Sequence, residues 1–457
     1  MYADDTIAAI ATPPGRGGVG IVRVTGPLCR QIADRVFSRA HPSGGWSPRH
    51  LYHGRVIDEA GAVLDEGLAV LMLRPHSFTG EDVLELHCHG SPVALRRVLK
   101  RVLSCGGRLA EPGEFTKRAF LNGRLDLAQA EAVMELVHAR TEAGAALASD
   151  QLTGRLSARL AELRAQLVHL KALVEAQIDF SEEDVAVDKD ELVNMAVHSI
   201  DTIQALLDTY THGLLIRDGV RVVIVGKPNV GKSSLLNALL GDERAIVTPI
   251  AGTTRDSIEE TAEFDGVPVV LSDTAGLREL AHADAVERLG IQRTSTKIVE
   301  ADLLLTVIDA SCPIDAEDLA VLKTTNGLPR IIVLNKIDLG ELASVRGGVV
   351  NGEAIVSISA KERRGLADLR RAVVGHVTEG KNLERTGPVL TNLRHHDALT
   401  KAKASLDFAL ESLRAGHPPD IVGVDVQDAI HHVGAITGVV TSEDILDRIF
   451  SEFCIGK

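Results

Sequence analysis

Leu152, Leu156, Leu160, Leu163, Leu167, Leu170, Val174 and Ile178 step by three or four positions. That period draws one apolar stripe down a long amphipathic helix. Helical periodicity returns over residues 393–413 and again over 424–449. No proline occurs between Pro112 and Pro228, and glycine is sparse from Gly154 to Gly213, so little interrupts helix formation there. The first 120 residues are built on another period. Residues 19–24 and 69–73 read as strands. Over residues 82–89 the alternation is strict, with Leu84, Leu86 and Cys88 on one face and Glu85, His87 and His89 on the other. Ser91-Pro92 then opens a helix whose apolar positions include Val93, Val98 and Val102. Two uninterrupted apolar runs, 222–225 and 331–334, read as buried strands of an α/β unit. The expected architecture is multi-domain α/β: an α+β domain over 1–120, a helical domain over 121–217, an inserted α/β domain over 218–380, and the rest of the helical domain over 381–457.

Length agrees with this division, since 457 residues exceed one core. Aromatics are 3%, so the cores must be made of Leu, Val, Ile and Ala. No apolar run reaches the roughly 18 residues that cross a bilayer, and the N-terminal residues do not read as a secretory signal, which predicts a cytoplasmic protein without membrane attachment. Cysteines 29, 88, 105, 312 and 454 are odd in number and lack CxxC spacing, which predicts reduced thiols and no zinc site. The net charge of −14 disfavours tight, unaided binding of nucleic acid, though it leaves room for a local basic patch.

The chemistry concentrates in the inserted domain. Strand 222–225 runs into Gly226-Lys227-Pro228-Asn229-Val230-Gly231-Lys232-Ser233-Ser234 and an apolar helix, which is GxxxxGKS in its strand–loop–helix setting. Backbone N–H groups of such a loop curl around phosphates at a helix N-terminus. Lys232 would reach the β- and γ-phosphates, and Ser233 would hold Mg²⁺. Strand 331–334 ends in Asn335-Lys336-Ile337-Asp338, whose Asp338 accepts two N–H donors that guanine presents and adenine lacks. Ser359-Ala360-Lys361 follows as the loop behind the base. Asp273-Thr274-Ala275-Gly276 fits DxxG, with Asp273 acting on Mg²⁺ through water. Thr248-Pro249-Ile250-Ala251 leads into Gly252-Thr253-Thr254, a first switch loop in which Thr254 is the Mg²⁺ candidate. The inserted domain is therefore expected to be a Ras-like P-loop GTPase. Leu277 stands where many GTPases place a water-orienting Gln, so either hydrolysis is very slow or another polar group does that work.

The whole chain resembles the bacterial tRNA modification GTPases of the MnmE (TrmE) family. The resemblance is carried by stretches 11–23, 78–85, 112–115, 118–122, 125–131 and 248–256, and by the terminal Phe453-Cys454-Ile455-Gly456-Lys457. It implies a homodimer in which K⁺ replaces an arginine finger, bound by Asn229, the Thr248 and Ile250 carbonyls, and Thr253. A cation beside the β–γ bridge offsets developing charge as a guanidinium would. Glu287 matches the family's water-orienting glutamate. The N-terminal domain resembles a dimerising one-carbon tetrahydrofolate-binding domain, for the 5,10-methylene or 5-formyl form. There Arg23 and Arg124 would meet folate carboxylates, Glu85 the pterin, and Lys457 the folate. Cys454 would take part in the modification. The family works with the FAD-dependent MnmG (GidA) in a heterotetramer. The reaction implied is formation of an aminomethyl or carboxymethylaminomethyl group on C5 of the wobble uridine, position 34, of certain tRNAs.

The residues themselves leave other readings open. Glu85, His87 and His89 share a strand face and, with a ligand from elsewhere, would suit a metal. Glu287 taken alone reads first as a solvated switch-helix carboxylate, and Cys454 as a buried structural thiol. The tail is no prenylation box, because Ile-Gly-Lys follows the cysteine. A rival function is a regulatory or ribosome-assembly GTPase switch without modification chemistry.

Overall fold

The computed structural model describes residues 5–40, 44–179, 188–241, 259–273, 301–340, 354–378 and 387–457. The chain forms two compact units: Met1–Met134 with Gln151–Ser199 and Lys401–Lys457, and Glu135–Asp150 with Ile200–Thr400. The architecture is mixed α/β, as the periodicities predict.

The first unit begins with a seven-stranded sheet: β1 (Ile7–Ile10), β2 (Gly17–Thr25), β3 (Phe37–Arg39), β4 (Tyr52–Ile57), β5 (Val63–Met72), β6 (Val83–Gly90) and β7 (Arg108–Leu109), in the order β3-β4-β5-β6-β2-β1-β7. Helices α1 (Cys29–Val36) and α2 (Pro92–Ser104) cover one face. Their Ile32, Val36, Leu95, Val98 and Val102 share a core with Leu84, Leu86 and Cys88, so the alternation of β6 sorts its faces as expected. Val93 does not join them and is 60% exposed. A five-residue step from Val93 to Val98 turns a helix by about 140°, which carries Val93 to the solvent side. Leu95 takes the buried place.

Helix α3 (Glu114–Leu121) leads into α4 (Leu127–His138), α5 (Glu142–Leu152), α6 (Arg155–Asp179), α7 (Lys189–Leu207) and α8 (Tyr210–Asp218). The stripe from Leu156 to Val174 is buried along α6. Its two ends differ from expectation: Leu152 belongs to α5, before the break at Thr153-Gly154, and Ile178 is exposed near the C-terminus of α6.

In the second unit β8 (Val220–Val225), α9 (Lys232–Leu240), β9 (Glu259–Phe264), β10 (Val267–Asp273), β11 (Leu303–Asp309), α10 (Ala316–Thr324), β12 (Arg330–Asn335), β13 (Ile355–Ser357) and α11 (Leu366–Thr378) surround a sheet of order β13-β12-β11-β8-β10-β9. All neighbours are parallel except β9 and β10. Strands β8 and β12 are buried almost throughout, which is why residues 222–225 and 331–334 read as unbroken apolar runs.

The remaining helices are α12 (Leu393–Ala415), α13 (Pro419–Thr437) and α14 (Glu443–Ser451). The single periodic stretch 424–449 is thus two helices, parted at Gly438 in a left-handed C-cap. Helix α13 lies along α6, with Gly423 against Val174. Helix α14 packs on α3 and α4 through Phe120, Leu127, Leu446, Phe450 and Phe453, which carries the chain's last residues to the N-terminal sheet.

Candidate functional site

The phosphate loop leaves β8 where the strand order turns, with β11 on one side and β10 on the other. Ligands of doubly wound sheets collect at this point, beyond the carboxyl ends of the strands. Asn229 has φ +64° and Gly231 φ +96°, so the loop curls back on itself before Lys232 starts α9. A Cβ on Gly231 would stand 2.4 Å from Asn335 Nδ2, so the cradle admits no side chain there. Lys232 is buried, and its Nζ donates to the carbonyls of Gly226 (3.0 Å) and Lys227 (2.9 Å). Ser233 and Ser234 are exposed on the first turn of α9. Asp273 ends β10 in register with Ile224 of β8, one residue short of that strand's end.

The candidate base loop is tied directly to this cradle. Asn335, at the end of β12, donates through Nδ2 to the Val230 carbonyl (2.8 Å) and accepts from the Ala360 N–H (3.0 Å). Lys336 is left-handed at φ +67°, and its Nζ donates to the Asn229 carbonyl and to Asp309 Oδ2, both at 2.7 Å. Asp338 accepts a hydrogen bond from Ser359 Oγ at 2.7 Å. That bond outweighs desolvation and, with lesser help from the Lys361 and Arg364 charges, holds its carboxyl below the ordinary value. Asp338 is therefore an ionised double acceptor. Lys361 itself is exposed. Of the other nucleotide-site candidates, Thr248, Pro249, Ile250, Ala251, Gly252, Thr253, Thr254, Thr274, Ala275, Gly276 and Glu287 lie outside the described residues, as does Leu277.

Three acids that hold these loops, Asp309, Asp315 and Asp318, are not singled out by the sequence reading. Asp309 is the acid that ends β11, and its only sequence signal is its place after an apolar run. Lys227 bonds both Asp315 (2.6 Å) and Asp318 (2.7 Å), which also form the capping box of α10.

Chain residues 454–457 meet the N-terminal sheet. The Gly113 N–H and the Lys457 N–H donate to the Cys454 carbonyl (3.4 and 3.2 Å), and the Phe115 N–H donates to the Lys457 carbonyl (3.2 Å). Gly456 is buried at φ +96°, where a Cβ would stand 2.5 Å from the Ile10 carbonyl. Arg23 on β2 reaches the Gly456 carbonyl at 3.4 Å and pairs with Glu85 at 2.9 Å. The rings of Phe78 and Phe115 have centroids 5.8 and 5.9 Å from the Arg23 guanidinium. Arg124 donates to the Ser77 carbonyl at 3.1 Å, in the same loop as Phe78. Burial first, and the Arg23 charge second, hold the Lys457 amine below its usual value. Thus Arg23, Glu85 and Lys457 come together, with Arg124 anchored beside them. Cys454 is exposed, which overturns its reading as a buried structural thiol. Gly456 and Lys457 pack on the N-terminal domain; they are not a free tail.

The strand-face histidines have separate partners: His87 bonds Glu85 (3.2 Å) and His89 bonds Asp65 (2.7 Å). Among the described residues no group of three or more His, Cys, Asp or Glu could hold a metal ion. Arg118, buried on α3, pairs with Asp5 (2.6 Å), Glu81 (3.2 Å) and Glu114 (3.0 Å), and Arg108 also pairs with Glu114. For Glu85, the His87 hydrogen bond outweighs burial and, with Arg23, depresses the pKa below 4.5. For Asp5 and Glu114, burial raises the pKa, but Arg108 and Arg118 together more than reverse it. These carboxylates bind protons less readily folded than unfolded, so their stabilisation is complete above about pH 4.5 and is lost as pH falls through the depressed folded values. The melting temperature should drop steeply over that acid range, and Glu114→Gln should flatten the drop. An unchanged acid limb in the variant would show that the network contributes nothing.

Residues 6–124 match the family described as GTP-binding protein TrmE N-terminus, and residues 127–454 match the MnmE helical domain. The chain is similar to proteins named tRNA modification GTPase MnmE. That of Geobacter metallireducens is 47% identical over 460 residues, spanning all of both chains. That of Roseiflexus sp. is 45% identical over 469 residues, again spanning both completely. That of Aquifex aeolicus is 47% identical over 455 residues, covering 99% of this chain and 100% of the relative.

Proposed function

This chain belongs to the MnmE family of tRNA modification GTPases, and from that premise we propose that it hydrolyses GTP and couples the hydrolysis to modification of tRNA. The observation that carries the reading is the clamp made by Asn335 and Lys336 on the Val230 and Asn229 carbonyls, which fixes to the phosphate loop the base-recognition loop on which Ser359 aims Asp338. In the reaction, water attacks the γ-phosphorus and GDP leaves. Lys232 exchanges the Gly226 and Lys227 carbonyls for phosphate oxygens, and the backbone from Asn229 to Lys232 supplies N–H donors.

The donor set fits Mg²⁺: a hydroxyl at the N-terminus of α9 and an aspartate at the end of β10. Ser233 and Thr254 would hold the ion and Asp273 its water, and the ion supplies positive charge at the β- and γ-oxygens. Asn229, bent into the loop at φ +64°, would hold K⁺ with the Thr248 and Ile250 carbonyls and Thr253. Glu287 would orient the attacking water, the task Leu277 cannot perform. Turnover should therefore be much faster in K⁺ than in Na⁺ at matched ionic strength. Asn229→Ala should remove most of that difference while GTP still binds through Lys232 and Asp338. Equal rates in the two salts would sink the K⁺ reading.

For the modification step, Arg23 and Arg124 offer cations to folate carboxylates, Lys457 would contact the folate, Glu85 offers an acceptor to a pterin, and the half-buried Phe78 offers flat apolar surface. These residues fit a one-carbon tetrahydrofolate, which supplies a carbon at the folate oxidation level. The FAD-dependent partner MnmG would supply flavin chemistry in a heterotetramer with a dimer of this chain. The product is a 5-aminomethyl or 5-carboxymethylaminomethyl group on uridine 34.

A further inference from the structure

Helices α1 and α2 cover the N-terminal sheet and carry six cationic side chains: Arg30 and Arg35 on α1, Arg96, Arg97, Lys100 and Arg101 on α2. The two helices hold a single acid, Asp34, which accepts the Trp46 indole N–H at 2.7 Å. Arg101 links the helices, donating to the Arg35 carbonyl at 3.3 Å and pairing with Glu59 at 3.0 Å. The other five cations are exposed, and among the described residues none has an ion-pair partner.

Such a cluster is out of keeping with a chain of net charge −14. It is also locally unfavourable. Arg96 and Lys100 stand at i,i+4, as do Arg97 and Arg101, a spacing at which like charges destabilise a helix. The first turn of α2 contains no acid to meet the helix dipole. An external polyanion would relieve both costs. Four of the five unpaired cations are arginines, whose planar fork matches phosphate oxygens two at a time. Residues 93, 96, 97, 100 and 104 make one solvent stripe along a helix of 13 residues, about 20 Å long. That stripe spans several successive phosphates of a nucleic-acid strand. A membrane surface would ask for a band of large apolar side chains beside the cations, and Val93 alone is exposed there.

We propose that the α1–α2 face grips the phosphodiester backbone of the tRNA substrate. The proposal rests on the reading that the chain acts on tRNA, and it adds the surface that does the holding. Contacts of this kind position an RNA without reading its bases, so sequence selection must come from elsewhere.

The test uses the full chain with Arg96→Gln, Arg97→Gln and Lys100→Gln combined, and an unmodified tRNA transcript whose binding is followed by fluorescence anisotropy across potassium salt concentrations. Each lost phosphate contact should lower the slope of log K against log salt by about 1, so the triple variant should lose about 2 to 3 and bind roughly 10-fold or more weakly at low salt. An unrelated RNA hairpin should lose affinity equally. GTP turnover and melting temperature should be unchanged, since the three side chains are exposed and belong to no nucleotide motif. Unchanged tRNA affinity overturns the proposal, and so does weaker binding with an unchanged salt slope. Lost association with the flavin partner while tRNA binding persists assigns the face to a protein and also overturns it. If the unsubstituted chain binds no tRNA, the proposal falls. The broader reading then stands or falls separately, on nucleoside mass spectrometry of tRNA from cells lacking this chain.

Discussion

Cys454→Ser is expected to abolish tRNA modification while leaving GTP turnover at its original rate. The thiol stands on an exposed residue whose backbone is held from both sides, by the Gly113 and Lys457 N–H groups on its carbonyl. Two positions on, Gly456 lies against Ile10 and offers its carbonyl to Arg23. The cysteine is therefore anchored at the group of residues proposed to hold folate, and it supports no core whose loss would confuse the result. Serine keeps the size and a hydrogen-bonding atom but removes thiolate nucleophilicity. The nucleotide loops belong to the other compact unit, so hydrolysis should not respond. Gly456→Ala gives a second measurement: a Cβ 2.5 Å from the Ile10 carbonyl, on a residue at φ +96°, should undock the tail and weaken folate binding, whereas Cys454→Ser should leave folate bound. Nucleoside mass spectrometry reads the outcome. Full modification by the Ser variant would exclude an essential thiol.

Asp338→Ala should weaken GTP binding by roughly 10²- to 10⁴-fold, because two charge-assisted hydrogen bonds to the base are lost together. The Ser359 hydroxyl is the chief group lowering the Asp338 pKa, and the same bond aims the carboxylate. The change should also erase preference for GTP over ATP, since Lys232 and the loop backbone hold the phosphates of either. Equilibrium titration with both nucleotides measures the two effects. Ser359→Ala should produce a smaller loss in the same direction, as the carboxylate survives but its orientation does not. An Asp338→Ala variant with unchanged selectivity would mean that the base is read elsewhere.

Parts of the molecule are legible in the sequence alone. The motifs around Lys232 and Asp338 could be read because each is a short loop attached to an apolar strand, and strand, loop and helix all follow from local spacing. The faces of β6 followed from alternation alone. Helix ends were less legible. Leu152 keeps the three-and-four rhythm of α6 yet belongs to α5, because periodicity continues across a turn that stops the backbone hydrogen bonds. Val93 stands outside the core for a related reason: being apolar is not enough when the helical angle points outward.

By itself the sequence determined the secondary-structure periods, the P-loop with its guanine motif, and the family, all of which are written in neighbouring residues. The tertiary structure alone decided that Arg23 meets Gly456 across 433 positions, that Lys336 chooses Asp309 and the Asn229 carbonyl, and that Cys454 stays exposed on a docked tail. It also gathered the cations of α1 and α2, more than sixty residues apart, onto one face. Such contacts arise when packed helices and sheets bring distant segments together, and no spacing rule along the chain encodes which partners will meet.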